Sequence, residues 1–201
     1  MNAETLAAFK DFWANKTYGE PDNPGIYTKL QRSDADFFLM DNRSYRSPNS
    51  VDAYRSDGRP NPDKDHFGDK QLQWLKDNLR SSEATFKVIV TGGEVLNDRN
   101  QYEGFHNCPA ERQELLGFIK EAEIEGVVFL SGDRHMTELL KRDMKDLYPL
   151  YNFTCSPFTA GTFDDLNERE ANNPYRVDGT LVKQQNFARI QLKGEEDERM
   201  M

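Results

Sequence analysis

Two short, mostly apolar runs, FKVIVTG at residues 86–92 and VVFLSGD at residues 127–133, most constrain the fold of this 201-residue chain. Neither alternates strictly, and both stop at glycine or aspartate, the pattern of strands buried on both faces of a parallel sheet. Parallel neighbours need a long crossover, usually a helix, between them. The sequence supplies one: Glu111 to Ala122 turns Leu115, Leu116, Phe118, Ile119 and Ala122 inward at helical spacing. A second amphipathic stretch, Asp69 to Arg80, puts Leu72, Leu75 and Leu79 on one stripe just before FKVIV. Further upstream, IYTKLQR, the polar SDAD and FFLMD read as strand, tight turn and strand, a hairpin. The order hairpin, helix, strand, helix, strand predicts an α/β sheet with at least one right-handed crossover. The strands FFLMD, FKVIV and VVFLS are expected in one sheet, with Asp41, Gly93 and Asp133 at one edge. Ligands of such sheets gather beyond the carboxyl ends of the strands.

Around this frame, Ala3 to Phe12 reads as a short helix, and Pro21, Pro24 and Gly25 enforce a loop. Arg43 to Gly68 is rich in Ser, Pro, Asn, Asp and Gly and reads as a long loop of the functional or mobile kind. LYNFT follows as a strand, Pro157 to Pro174 as a loop, and NFARIQL shows Ala188, Ile190 and Leu192 alternating with polar residues. GEEDERMM stops soon after that strand-like stretch, which suggests a truncated end. The length fits one domain, residues 1–201, and 13 Phe with 8 Tyr exceed what a disordered acidic chain would carry. A net charge of −9 argues against broad nucleic-acid binding, which needs a basic footprint. Phosphate chemistry on such a chain requires local positive charge from arginines or a metal. Cys108 and Cys155 read as free thiols rather than a scaffold. MNAETLAAFKDFW has neither the basic nor the apolar region of a signal peptide, and no run is long enough for a membrane span.

The strand end VVFLSGDRH carries the strongest chemical signal. If extended geometry persists past Ser131, Asp133 and His135 face one site while Arg134 points elsewhere or swings round to it. A carboxylate and an imidazole so placed hold a metal, or act as a base and its orienter; the plain alternative is a helix-capping Asp and a surface His. At the neighbouring strand end, VTGGEVLND, Glu94 and Asn97 follow two glycines that let backbone approach a ligand, or else form an ordinary loop. At the third, FFLMDNRSYR, Arg43 and Arg46 suit phosphate oxygens, or pair internally with Asp41. His66 and His106 read as solvated loop histidines, and Cys108, before a helix near Pro109, as structural.

Taken together in order, FKDFWANKTYGEPDNPGIY, DFFLMDNRSYRSPN, GDKQLQWLKDNLRSSEATFKVIVTGG, PAERQELLGFI, GVVFLSGDRHMTEL, YPLYNFTCSPFTAG and PYRVDGTLVKQQNFARIQL resemble the alkaline phosphatase D (PhoD-like) family of metallophosphoesterases over nearly the whole chain. The resemblance implies a metallophosphoesterase-like α/β fold, a β-sandwich flanked by helices, of which this chain is the C-terminal half of the domain. It implies hydrolysis of small phosphate mono- or diesters by metal-activated water, with calcium and iron as the metals. In the wider superfamily Gly-His-x-His ends the corresponding strand; here the motif is Gly132-Asp133-Arg134-His135. Carried over, Asp133 and His135 become metal ligands with Glu94 and Asn97, His135 and Arg134 catalytic groups, and Arg43 and Arg46 substrate-binding groups. The family's other metal motifs lie upstream of FKDFW. The resemblance therefore leaves two expectations open: an active phosphoesterase partnered by a missing N-terminal half, or a catalytically silent fragment. It also implies an exported, periplasmic or secreted parent.

Overall fold

The computed structural model describes residues 3–163, 166–195 and 198–201. In chain order the elements are helix α1 (Ala3–Phe12), a two-residue ladder of β1 (Gly19–Glu20) and β2 (Asn23–Pro24), β3 (Thr28–Arg32), β4 (Ala35–Leu39), α2 (Asp69–Ser81), β5 (Phe86–Val90), α3 (Pro109–Glu121), β6 (Val127–Ser131), β7 (Glu138–Met144), β8 (Leu147–Thr154) and the single turn α4 (Glu168–Ala171). One six-stranded sheet runs in the order β3-β4-β5-β6-β8-β7. β4, β5, β6 and β8 are mutually parallel, while β3 and β7 flank them as antiparallel edges. The three expected strands thus lie side by side, and their carboxyl ends share one edge.

Local chemistry explains the connections. Arg32 pairs with Ala35, so β3 and β4 are joined by Ser33 and Asp34 alone, and Ser33 takes φ 54. Positive φ is what a two-residue hairpin turn needs to match strand twist. α3 opens with Pro109 in its first turn, where a missing N–H costs no hydrogen bond. Gly126, at φ 70, precedes β6 and passes so close to the chain entering β5 that an added Cβ would lie 1.9 Å from the Thr85 carbonyl oxygen.

α2 and α3 cover one face of the sheet. Leu72, Leu75 and Leu79 from α2, Leu115 and Ile119 from α3, and Phe38, Ile89 and Phe129 from the strands form one buried cluster. Each such side chain contributes roughly 1.5–3 kcal/mol relative to exposure. The opposite face is also apolar but only half-covered: Phe86, Val128, Leu130, Tyr151 and Phe153 line a groove of about 780 Å3 together with Ile190, Met200 and Met201. NFARIQL, expected from its alternation to be strand-like, crosses this face without joining a ladder. The alternation is real, but a strand also needs a paired neighbour. The expected loop from Pro157 to Pro174 contains α4. Among the described residues no helix is long and apolar enough to cross a membrane.

Candidate functional site

At the carboxyl edge, Asp41 follows β4 and is fully buried. Its side chain accepts hydrogen bonds from the backbone N–H groups of Ile26 (3.1 Å), Arg43 (3.0 Å) and Ser44 (2.9 Å), and from the Ser44 hydroxyl. Burial pushes this carboxyl up, but those donors outweigh it and hold its pKa below the usual value. The Gln71 amide of α2 braces the same residue, accepting from its N–H and donating to its C=O, both at 2.8 Å. Asp41 is therefore the keystone of the turn that presents Arg43 and Arg46. Neither arginine pairs with it. Both reach Glu103, at 2.9 Å and 2.7 Å, and Asn49 donates to the same carboxylate at 3.0 Å. These partners, the Arg46 bond first and the Asn49 bond next, hold Glu103 down to about 2.

Arg43, Arg46 and Glu103 line a recess of about 130 Å3 shared with Asn42, Asp133 and His66. Gly92 and Gly104 lie in its wall, and a Cβ on Gly92 would come within 2.9 Å of the Asn42 amide nitrogen. His66, read from its polar loop as solvated, is only 2% exposed. Its ring stacks on Phe105 at 4.8 Å and meets Phe67 edge-on at 4.9 Å. Burial, reinforced by Arg46 and Arg43, lowers its pKa to about 3, so the imidazole is neutral. The Glu111 carboxylate at the start of α3 fixes this segment by accepting the N–H groups of His66, Phe67 (3.0 Å) and Gly68 (3.0 Å). Burial pushes Glu111 up to about 7 against those three bonds.

Beyond Ser131 the chain does not stay extended. The Arg134 N–H donates to the Gly132 carbonyl at 2.8 Å, closing a three-residue turn in which Asp133 sits at φ 67, and His135 follows at φ 55. Such conformations are strained for residues with a Cβ and collect at functional sites. Their outcome is that Asp133 and His135 are exposed and line one depression of about 470 Å3, whose rim includes Tyr102 and Phe163. This depression adjoins the recess, since Arg43, Glu103 and Asp133 belong to both.

Arg134 turns inward. It is buried, ion-paired with Glu94 (3.3 Å) and with Glu170, and donates to Asn100 at 3.0 Å. Glu94 is itself fully buried, receiving hydrogen bonds from Asn97 (2.8 Å) and Thr154 (2.9 Å). Desolvation first, then the Glu138 carboxylate, push its pKa up to about 8 despite Arg134. Asn97 Oδ1 accepts from the backbone N–H groups of Arg99 (2.9 Å) and Asn100 (3.3 Å) and from the Asn173 amide (3.2 Å). Glu94 and Asn97 thus form a buried lattice behind the site, and Arg134 ties that lattice to the depression, which it lines together with Asp133 and His135.

This arrangement decides how far the chain fits a calcium or iron centre. Among the described residues Asp133 and His135 are the exposed donors at the edge and His66 is a buried one; the oxygens of Glu94 and Asn97 are engaged by protein groups. Among the described residues no three His, Cys, Asp or Glu side chains converge to hold an ion. Calcium takes about six to eight oxygens, so these residues alone do not fit it. His106 is half-buried, its pKa lowered to about 4 by burial and then by Arg112. Cys108 is buried, unpaired and raised to about 11 by burial, an inert thiol. Sequence reasoning missed Glu103, His66 and Glu111, because each draws its meaning from partners about 40 to 60 residues away.

A family model described as PhoD-like phosphatase matches residues 2–198. Alkaline phosphatase D of Bacillus subtilis (strain 168) is 31% identical over 115 residues, which span 50% of this chain and 19% of that protein. A solved structure titled "Structure of PhoD" superposes with a TM-score of 0.66 at 22% identity, covering 82% of this chain and 35% of that one. At that identity the likeness is one of fold. The chain spans about a fifth of the curated relative's length and about a third of the solved structure's. A match running from residue 2 to residue 198 makes this chain a member of the PhoD-like phosphatase family.

Proposed function

We propose that the chain forms part of the active site of a phosphate-ester hydrolase. The observation that carries this reading is the edge itself: Asp133 and His135, held outward by left-handed backbone, stand beside two guanidiniums in adjoining pockets. Arg43 and Arg46 bind the non-bridging oxygens, for which planar, always-charged donors are suited. His135 hydrogen-bonds the ester oxygen that leaves. The local charge ledger supports metal dependence as part of this reading. Two arginines face Glu103 and Asp133, so the edge is close to neutral and a phosphate dianion would meet no surplus of positive charge. Asp133 and His135 are the exposed donors toward an ion, and groups outside these 201 residues complete its coordination. The remaining family fold is the partner that supplies them, and a small phosphate ester is the substrate.

The test is hydrolysis of p-nitrophenyl phosphate and bis(p-nitrophenyl) phosphate by this chain joined to the remaining family fold, before and after chelation and with calcium or iron restored. Turnover is expected to fall about 100-fold or more for Asp133→Asn, at unchanged melting temperature. No hydrolysis under any metal condition, or an Asp133→Asn variant of normal activity, would sink the reading.

A further inference from the structure

The recess and the depression adjoin, and His66 is the group that neither the family match nor the arginine pair accounts for. Its burial is nearly complete, yet neither ring nitrogen has a hydrogen-bond partner. Buried polar atoms are nearly always paired, and an orphaned one costs about 1–3 kcal/mol. A packing role alone does not explain it. A phenylalanine would fill the same slot between Phe67 and Phe105 without that cost. His66 lines the recess that Arg43 and Arg46 also line.

Resting on the phosphate-ester reading above, we propose that His66, with Arg46 and Arg43, forms a subsite for the unesterified end of a phosphate monoester. The recess, about 130 Å3, admits a PO3 group but is far below the roughly 300–1,000 Å3 of pockets for larger ligands. Its glycine wall is already tight at Gly92, so a second ester substituent on phosphorus has nowhere to go. A neutral imidazole carries one N–H donor and one acceptor nitrogen. Here the donor serves a phosphoryl oxygen, and no added positive charge must be buried beside the two arginines. Glu103, now bridging those arginines, occupies the place of an anion and yields to the incoming phosphoryl oxygens.

The adjoining depression, about 470 Å3, takes the alcohol part of the ester. Its rim is aromatic: Tyr102, 48% exposed, meets Phe163 edge-to-face at 5.6 Å, and the Phe163 N–H is fixed to the His135 carbonyl at 2.9 Å. A flat or apolar alcohol, such as an aryl group, suits such walls. Asp133 belongs to both cavities, which puts the P–O bond to be cleaved at their junction.

The proposal is tested by calorimetry with inorganic phosphate, phenyl phosphate and diphenyl phosphate, and by 15N NMR of the His66 ring during the phosphate titration. Expected are saturable shifts of the His66 ring nitrogens and binding of phenyl phosphate at least about tenfold tighter than diphenyl phosphate. His66→Phe, which keeps the ring and loses both nitrogens, is expected to weaken phosphate binding about tenfold while raising the melting temperature. His66→Gln, with a donor and an acceptor, is expected to recover most of that loss. Phosphate binding that is lost in Arg46→Ala but identical in wild type and His66→Phe would overturn the subsite while leaving the phosphate-ester reading intact. So would unmoved ring nitrogens, or diester binding as tight as monoester binding. A wild-type protein that neither binds phosphate nor hydrolyses either aryl ester would remove both. The NMR readout needs no variant, so misfolding of His66→Phe leaves the question decidable.

Discussion

At the scale of single residues, the GDRH turn separates roles that the sequence alone presents as one motif. Asp133 and His135 are exposed while Arg134, between them, is buried against two carboxylates. The resemblance makes Arg134 a catalytic group. Its ion pairs bind it into the lattice behind the depression it lines, and the two roles predict different failures. Removing one partner of a buried ion pair costs about 3–5 kcal/mol because the other charge is left uncompensated. Arg134→Ala is therefore expected to lower unfolding free energy by about that amount in urea titration. A variant of native stability with only impaired hydrolysis would restore the catalytic role. Glu94 and Asn97 were illegible for a related reason. Proximity to a strand end is visible in one dimension, but whether a carboxylate faces solvent or Thr154 is not.

At the scale of elements, the strands and helices were the most legible part. Apolar runs, a 3.6-residue stripe and a proline at a helix start act locally, so a window of a dozen residues contains their cause. The 43–68 segment was not legible in this way. Its polar composition says loop, yet Glu111 draws its end inward through three backbone N–H bonds and so buries His66. That carboxylate sits 45 residues from His66 in sequence. Glu111→Ala would leave three buried donors unsatisfied and is expected to cost about 2–4 kcal/mol. It is also expected to speed hydrogen exchange at residues 66–68 while leaving exchange in β6 close to the global limit. Equal acceleration throughout would mean that the segment is not a separate unit. NFARIQL teaches the converse: its period-two pattern was legible, but pairing depends on a neighbour that a window cannot contain.

At the scale of the whole molecule, the sheet is finished on one face and open on the other. Helices seal Phe38, Ile89 and Phe129, whereas Val128, Leu130, Tyr151 and Phe153 look onto a groove only partly filled from the C-terminal segment. These candidate groups lie beyond the ends of three strands: Arg43 and Arg46 after β4, Glu103 after β5, Asp133 and His135 after β6. The parallel pairs that bring those ends together join residues about 50 and 40 positions apart. Non-local pairing of this kind is slow, because loop closure is costly before contacts repay it. A half-formed chain can own its helices and its β3–β4 hairpin and still possess no site at all. During refolding from urea, helical circular dichroism is thus expected to recover ahead of phosphate binding, which returns only with the last and slowest phase. The order in which the strands join becomes a clock, and chemistry is the final hour it strikes.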